Sequence, residues 1–252
     1  MKKTLIALMA LASMAGAAEL TTLVTMDELI SAASTNTATQ VNNMSVTTYD
    51  FGNGTYIGGI TLQSLNTAVR DSSQYITIAA WVKPDDTAGV EAIFGYGAQQ
   101  NGFKFCTNGS GLQYTAKGVA DRATAGSDLT ADTWILVGVS FKGGTTVASG
   151  KYIAGTGNSN YYTRDVGGFA LPGETEQTFS IGSGNSGSAR ETFNGQIAGL
   201  TIFTSSEVIS GVNDITTIMG TTAPYQVPEP STATLSLLAL VGLAARRRRG
   251  GK

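Results

Sequence analysis

Histidine does not occur anywhere in the 252 residues. That absence removes a Ser-His-Asp triad, a histidine-bearing zinc site and imidazole acid–base chemistry. Cysteine is nearly missing too: Cys106 is the single one. No intramolecular disulfide or cysteine-rich metal site can form, and with no histidine to activate it the thiol reads as a small strand residue of the core. Charge is scarce, at 13% of residues, which disfavours long helices that need Glu and Lys on their exposed faces. Basic charge is scarcest in the body, where residues 18–227 hold 9 basic and 17 acidic side chains, a net of −8. An acidic body without a basic stripe does not suit DNA or RNA, and nucleic acid is set aside as a partner.

Glycine, threonine and serine are abundant, and 42% of residues are hydrophobic. The chain therefore has material for a core, arranged in short strands joined by many turns. From Ser45 onward the hydrophobic period is two. In YITIAAWV, Ile76, Ile78, Ala80 and Val82 share one face. In WILVGVSF, Ile135, Val137, Val139 and Phe141 do the same. In QIAGLTIF, alternation sets Ala198, Leu200 and Ile202 against Ile197, Gly199, Thr201 and Phe203. Asn101-Gly102 predicts a type I′ hairpin turn between EAIFGYGAQQ and FKFCT. Asn108-Gly109-Ser110-Gly111 leads to a further strand, and Trp81 and Trp134 are expected to pack inside or between layers. Before this region, Thr25-Met26-Asp27-Glu28 fits a capping box, predicting a helix from Met26 to Ala33, with a polar connector over 34–43.

The two ends read as addresses. MKKTLIALMALASMAGAAEL has a basic start at Lys2 and Lys3, an apolar run from Leu5 to Met14, and Ala15-Gly16-Ala17 in the A-x-A cleavage pattern, so residues 1–17 are expected to be a secretory signal. At the other end Pro228-Glu229-Pro230 interrupts regular structure. The stretch from Ser231 to Ala245 has fifteen residues and would span roughly 22 Å as a helix, short of a hydrocarbon core about 30 Å thick. Arg246, Arg247, Arg248 and Arg249 follow and would stay on the cytoplasmic side, leaving the body outside the inner membrane. The stretch VPEPSTATLSLLALVGLAARRRRGGK closely resembles the PEP-CTERM sorting signal of Gram-negative bacteria. The resemblance implies recognition by an exosortase, cleavage near the Pro-Glu-Pro box, transient inner-membrane insertion through the C-terminal helix, and delivery to the cell surface or extracellular matrix.

A second resemblance lies in the body. YITIAAWVKPDD, TWILVGVSFKGG, and TFSIGSGN followed by ETFNGQIAGLTIF resemble, in order, the hallmark strands of LamG-like (concanavalin A-like) jelly-roll domains across roughly 45–220. The family fold implied is an all-β, two-sheet antiparallel sandwich, often used to bind glycans or proteins at its rim or concave face. Many relatives carry histidines where this chain has Ile135 and Leu136. The organisation expected is a signal at 1–17, a short helix and connector at 18–44, the sandwich at 45–223 and the sorting tail at 224–252.

Several short motifs compete for chemistry. Gly182-Ser183-Gly184-Asn185-Ser186-Gly187 spells G-x-G-x-x-G, but Glu191, Thr192 and Phe193 open another strand pattern where a dinucleotide site needs a helix, so it reads as a loop between strands. Glu174-Thr175-Glu176 is the nearest approach to the paired carboxylates of a glycoside hydrolase; it sits in a turn-like setting and reads as solvated loop charge. No catalytic residue is assigned, and the chain is expected not to be an enzyme. Asp85-Asp86 is the one cluster with calcium chemistry, though adjacent aspartates after Pro84 fit a turn, and no metal or cofactor is assigned. For glycan binding, Tyr161 and Tyr162, preceded by Asn158 and Asn160, combine aromatic faces with amides. The expectation is thus an exported binding module for an extracellular polysaccharide or glycan, with a structural or adhesive matrix protein as the alternative and a glycoside hydrolase as a lesser one.

Overall fold

The computed structural model describes residues 19–227 apart from 99, 124–128, 145–148, 156–160, 166–175, 186–187, 208, 210–214, 217–218 and 221. In chain order these residues form β1 (Thr21–Val24), α1 (Met26–Ser31), β2 (Thr35–Asn36), β3 (Thr39–Val41), β4 (Thr48–Phe51), β5 (Ile57–Ile60), α2 (Gln63–Arg70), β6 (Tyr75–Pro84), β7 (Val90–Tyr96) and β8 (Phe103–Asn108). They continue through β9 (Gly111–Ala116), β10 (Ala120–Ala123), β11 (Ile135–Lys142), β12 (Ser149–Gly155), β13 (Tyr161–Asp165), β14 (Phe179–Ile181) and β15 (Gly195–Ser205).

The strands make two antiparallel sheets. The eight-stranded sheet runs β13-β12-β11-β6-β15-β4-β3, with β1 also on β15; the seven-stranded sheet runs β10-β9-β8-β7-β14-β5-β2. Period-two alternation explains the layering. Ile76, Ile78, Ala80 and Val82 of β6 and Ile135, Val137, Val139 and Phe141 of β11 are buried together in the core between the sheets. From the facing sheet, Phe103 stacks on Tyr96 with centroids 5.1 Å apart and meets Phe141 across the layer at 4.6 Å. Aromatic contacts of this kind add to the burial of apolar area that drives the two sheets together.

Strict alternation fails in β15. A register shift between Ala198 and Thr201, with Gly199 at φ +59°, turns Ile197, Leu200 and Ile202 to the core and sends Ala198 and Phe203 to the other side. This is a β-bulge, and it corrects the expected grouping of Ala198 with Leu200 and Ile202. The outer face of the eight-stranded sheet is consequently apolar as well. Trp81, Ala79, Leu136, Ala198 and Phe203 form a second cluster there, capped by Ile209 and Ile215, with Trp134 and Met219 against it. Trp81, 9% exposed, therefore packs beneath the closing segment rather than between the sheets.

The N-terminal stretch differs from a helix plus connector. The capping box forms as expected, with Thr25 and Glu28 bonded reciprocally, and the helix ends at Ser31. Around it, however, β1 pairs with β15, β2 with β5 and β3 with β4. Polar strands of two or three residues at sheet edges carry no alternation to read. The end of the described chain is tied down as well: the Ser45 amide donates to the Tyr225 carbonyl at 2.9 Å, and Met44 bridges Gln226.

Candidate functional site

The outer face of the seven-stranded sheet is partly covered by described residues of the segment between β14 and β15, Ser183 and Gly184 foremost. Gly95 makes the covering possible: a Cβ there would lie 2.6 Å from the Gly184 carbonyl oxygen and 2.8 Å from that of Ser183. Only a glycine lets the loop backbone lie that close to the sheet. The buried Ser183 hydroxyl ties the loop to itself, donating to the Ser188 carbonyl at 2.6 Å and accepting from the Asn185 and Arg190 amides at 3.3 Å each. The Gly184 amide donates to the Arg190 carbonyl at 2.9 Å. Gly182 to Asn185 of the G-x-G-x-x-G stretch lie here between β14 and β15, a loop position as the flanking pattern predicts.

Beside the loop lies a cleft of about 220 Å³. Lys104 of β8 and Thr115 of β9, directly opposite each other in the ladder, line it with Lys117, two residues beyond Thr115. Asn185, Arg190 and Glu191 contribute from the loop, and Gln100 with Gly118 from the turns. Glu191 has φ +51°, a left-handed conformation uncommon for glutamate. The Ala92 amide donates to its carbonyl at 2.6 Å, and its carboxylate forms an ion pair with Lys104.

Lys117 has the most constrained environment. Its side chain is buried (4% exposed), and Nζ donates to the Tyr96 and Gly97 main-chain carbonyls at 3.0 and 2.8 Å. Burial, and then the neighbouring Lys104 charge, bring its pKa down to about 8. Thr115 is equally committed, accepting from Gln113 Nε2 at 3.1 Å and donating to Asp121 at 2.6 Å. On the same face Cys106 is fully buried, and burial pushes its thiol up to about 12, so it acts as packing and not as a nucleophile.

The hairpin that feeds this cleft differs from the type I′ expectation. Strand β7 ends at Tyr96 and β8 starts at Phe103, and of Asn101 and Gly102 only Gly102 has a positive φ, at +91°. The turn is longer because Gly97, at φ +78°, already leaves the ladder and presents its carbonyl to Lys117.

The expected site residues fall elsewhere. Tyr161 and Tyr162 begin β13, an edge strand of the eight-stranded sheet, paired with Ile153 and Tyr152; the structure does not bring them to the cleft. Asn158, Asn160 and Glu174 lie outside the described residues, as do Ala15, Ala17, Pro228, Glu229, Pro230 and Arg246 to Arg249. Glu176 is exposed. Asp86 accepts the Ala88 amide at 2.7 Å, a turn role. Burial and the charges of Asp50 and Asp132 raise the pKa of Asp85, yet among the described residues no three His, Cys, Asp or Glu side chains converge to hold a metal ion. Among the described residues no helix is long and apolar enough to cross a membrane, and the segment 231–245 lies outside them. Lys104, Lys117 and Arg190 carry no motif; the available signal is Lys104 at an outward position of FKFCT, and the β8–β9 pairing together with the loop returning over Gly95 unites it with the other two.

Comparison with known proteins bears on both the body and the tail. Residues 53–207 match the model of the concanavalin A-like lectin/glucanases superfamily, and residues 226–249 match the PEP-CTERM protein-sorting motif, which marks an exported protein handled by an exosortase in Gram-negative bacteria. No curated protein matches the chain. Among solved structures, similarity extends to the botulinum neurotoxin serotype D binding domain, with TM-score 0.48, 12% identity, 72% of this chain and 45% of that chain covered. A leech intramolecular trans-sialidase gives TM-score 0.49 and 16% identity, covering 73% of this chain and 28% of that one. The Ruminococcus gnavus IT-sialidase CBM40 bound to α2,3-sialyllactose gives TM-score 0.49 and 13% identity over 68% of this chain and 97% of that one. The chain thus spans less than half the length of the first two.

Proposed function

Because the chain belongs to the concanavalin A-like lectin/glucanases superfamily, we propose that its sandwich is an exported, non-catalytic module that binds a glycan in the cleft over the seven-stranded sheet, at the cell surface or in the extracellular matrix. The observation that carries this reading is the polar row of Lys104, Thr115 and Lys117 beside the loop admitted by Gly95. Sugar hydroxyls both donate and accept, and they are matched by groups of both kinds: ammonium donors, the Gln100 and Asn185 amides, and a carboxylate. At about 220 Å³ the cleft is smaller than the roughly 300–1,000 Å³ typical of drug-sized sites, a size that suits one sugar ring at a chain end or branch.

Glycoside hydrolysis needs two carboxyl groups about 5–9.5 Å apart across the scissile bond. Glu191 is the single carboxylate among the cleft's lining residues, and it is held by Lys104, which favours binding without cleavage. The sorting tail then serves as the handle by which an exosortase delivers the module.

A glycan array probed with the full chain in detergent tests this. Binding to a defined glycan, weakened at least about tenfold by the double variant Asn185→Ala, Arg190→Ala, is expected. Silence across neutral and acidic glycans contradicts it and favours a structural matrix role.

A further inference from the structure

We infer that the ligand is an acidic glycan, one whose carboxylate or sulfate group is taken by Lys117 and Arg190; this rests on the glycan-binding reading of the cleft. The first argument is the placement of charge. Residues 18–227 have only 9 basic side chains, and Lys104, Lys117 and Arg190 all line this one cleft, whose lining holds one carboxylate, Glu191, with Asp121 beside it on the Thr115 hydroxyl. Three cations against these two carboxylates leave the cleft net positive on a body of net −8. A body of net negative charge disfavours a polyanion in general, and this cluster of three cations is a place where one is attracted.

The second argument is Lys117 itself. A buried ammonium is costly unless it is paired and hydrogen-bonded. Its two acceptors are main-chain carbonyls, so it is solvated by dipoles but not neutralised. The nearby Glu191 carboxylate is engaged with Lys104. Two of the three N–H groups are used, and an anion entering the cleft supplies both the third acceptor and the missing negative charge.

The third argument separates Arg190 from Lys104. Both line the cleft, but among the described residues Arg190 forms no ion pair. Its side chain is exposed, while its main chain is fixed through the Ser183 hydroxyl and the Gly184 amide. A planar guanidinium on an anchored backbone suits two-point contact with a carboxylate or sulfate. Gln100 and Asn185 remain for the uncharged hydroxyls.

The test is calorimetric titration of the full chain in detergent with matched pairs: trigalacturonate against its methyl ester, and a sulfated heparin-derived disaccharide against its desulfated form. At least one acidic member is expected to bind about tenfold or more tighter than its uncharged twin. Added salt should weaken it, and Arg190→Gln should abolish most of the difference while leaving the melting temperature unchanged. Equal affinity for both twins, or binding confined to neutral glycans on the array, overturns the acidic assignment and leaves glycan binding intact. Failure to bind any glycan overturns both. Selectivity for the acidic twin that survives in both Arg190→Gln and Lys117→Met places the anion elsewhere and likewise overturns the inference.

Discussion

The Lys117 ammonium donates to the main-chain carbonyl of Tyr96 at 3.0 Å, joining the end of β9 to the end of β7 and carrying a charge into the sheet face. Because burial lowers the Lys117 pKa to about 8 from an ordinary 10.5, the folded chain releases this proton before the unfolded chain does. Between those two values the unfolded state holds more protons, so stability rises with pH across that window; below pH 8 the burial penalty is present in full. Urea unfolding of the native chain and of Lys117→Met at pH 7 and pH 9.5 checks this. The native chain should gain on the variant at the higher pH. A difference that does not change with pH contradicts the argument.

The same titration acts on the ligand. Above pH 8 Lys117 loses its charge while Arg190 keeps its own, so affinity for an acidic oligosaccharide should fall between pH 7 and pH 9.5 without vanishing. Calorimetry at the two values reads this directly, and an affinity independent of pH would remove Lys117 from the contact.

Gly95→Ala should keep the fold and lose the cleft. The added methyl would meet the Ser183 and Gly184 carbonyls well inside van der Waals contact, so the loop has to lift. The expected cost is about 1–3 kcal/mol, as for other overpacked sites. Glycan binding should be lost, and hydrogen exchange should accelerate at the Gly184 amide.

Ser183→Ala tests the loop from within. It removes the hydroxyl that accepts from the Asn185 and Arg190 amides and donates to Ser188, leaving part-buried main-chain groups without their partner. Destabilisation of about 1–3 kcal/mol is expected in chemical denaturation, together with weaker binding as Arg190 loses its anchor.

Asn66 is the corresponding tie beneath the sheet. Its Oδ1 accepts from the Tyr96 hydroxyl at 2.6 Å and the Gln177 amide at 2.8 Å, and its Nδ2 donates to the Leu62 and Gln177 carbonyls. Asn66→Leu strands several of these groups at once and should cost more than Tyr96→Phe, which leaves Oδ1 with its Gln177 partner. Thermal melting of the two variants reverses that order only if the network is not what holds α2 to the sheet.

The sandwich was legible because β6 and β11 are long, central and alternate cleanly, so Ile78 and Val139 could be assigned to one layer from spacing alone. The capping box at Thr25 and Glu28 was legible because it is local. Edge strands such as Thr35–Asn36 were not: two polar residues have no period, and the partner that makes them a strand lies at Ile57–Ile60. In β15 a single bulge at Gly199 inverted the phase of everything before it. The cleft was least visible. Lys104, Lys117 and Arg190 are separated by 13 and 73 positions in the chain, and they meet because β8 pairs with β9 and a loop returns over Gly95. Tyr161 and Tyr162, in contrast, are neighbours in sequence, and the fold leaves them on the other sheet.

Backbone amide chemical shifts of the full chain, recorded with and without the acidic oligosaccharide that calorimetry selects, test the central claim most directly. The account predicts perturbations concentrated at Lys104, Thr115 to Gly118, and Asn185 to Glu191. Perturbations centred on Tyr161 and Tyr162, or spread without focus on the seven-stranded sheet, would contradict it.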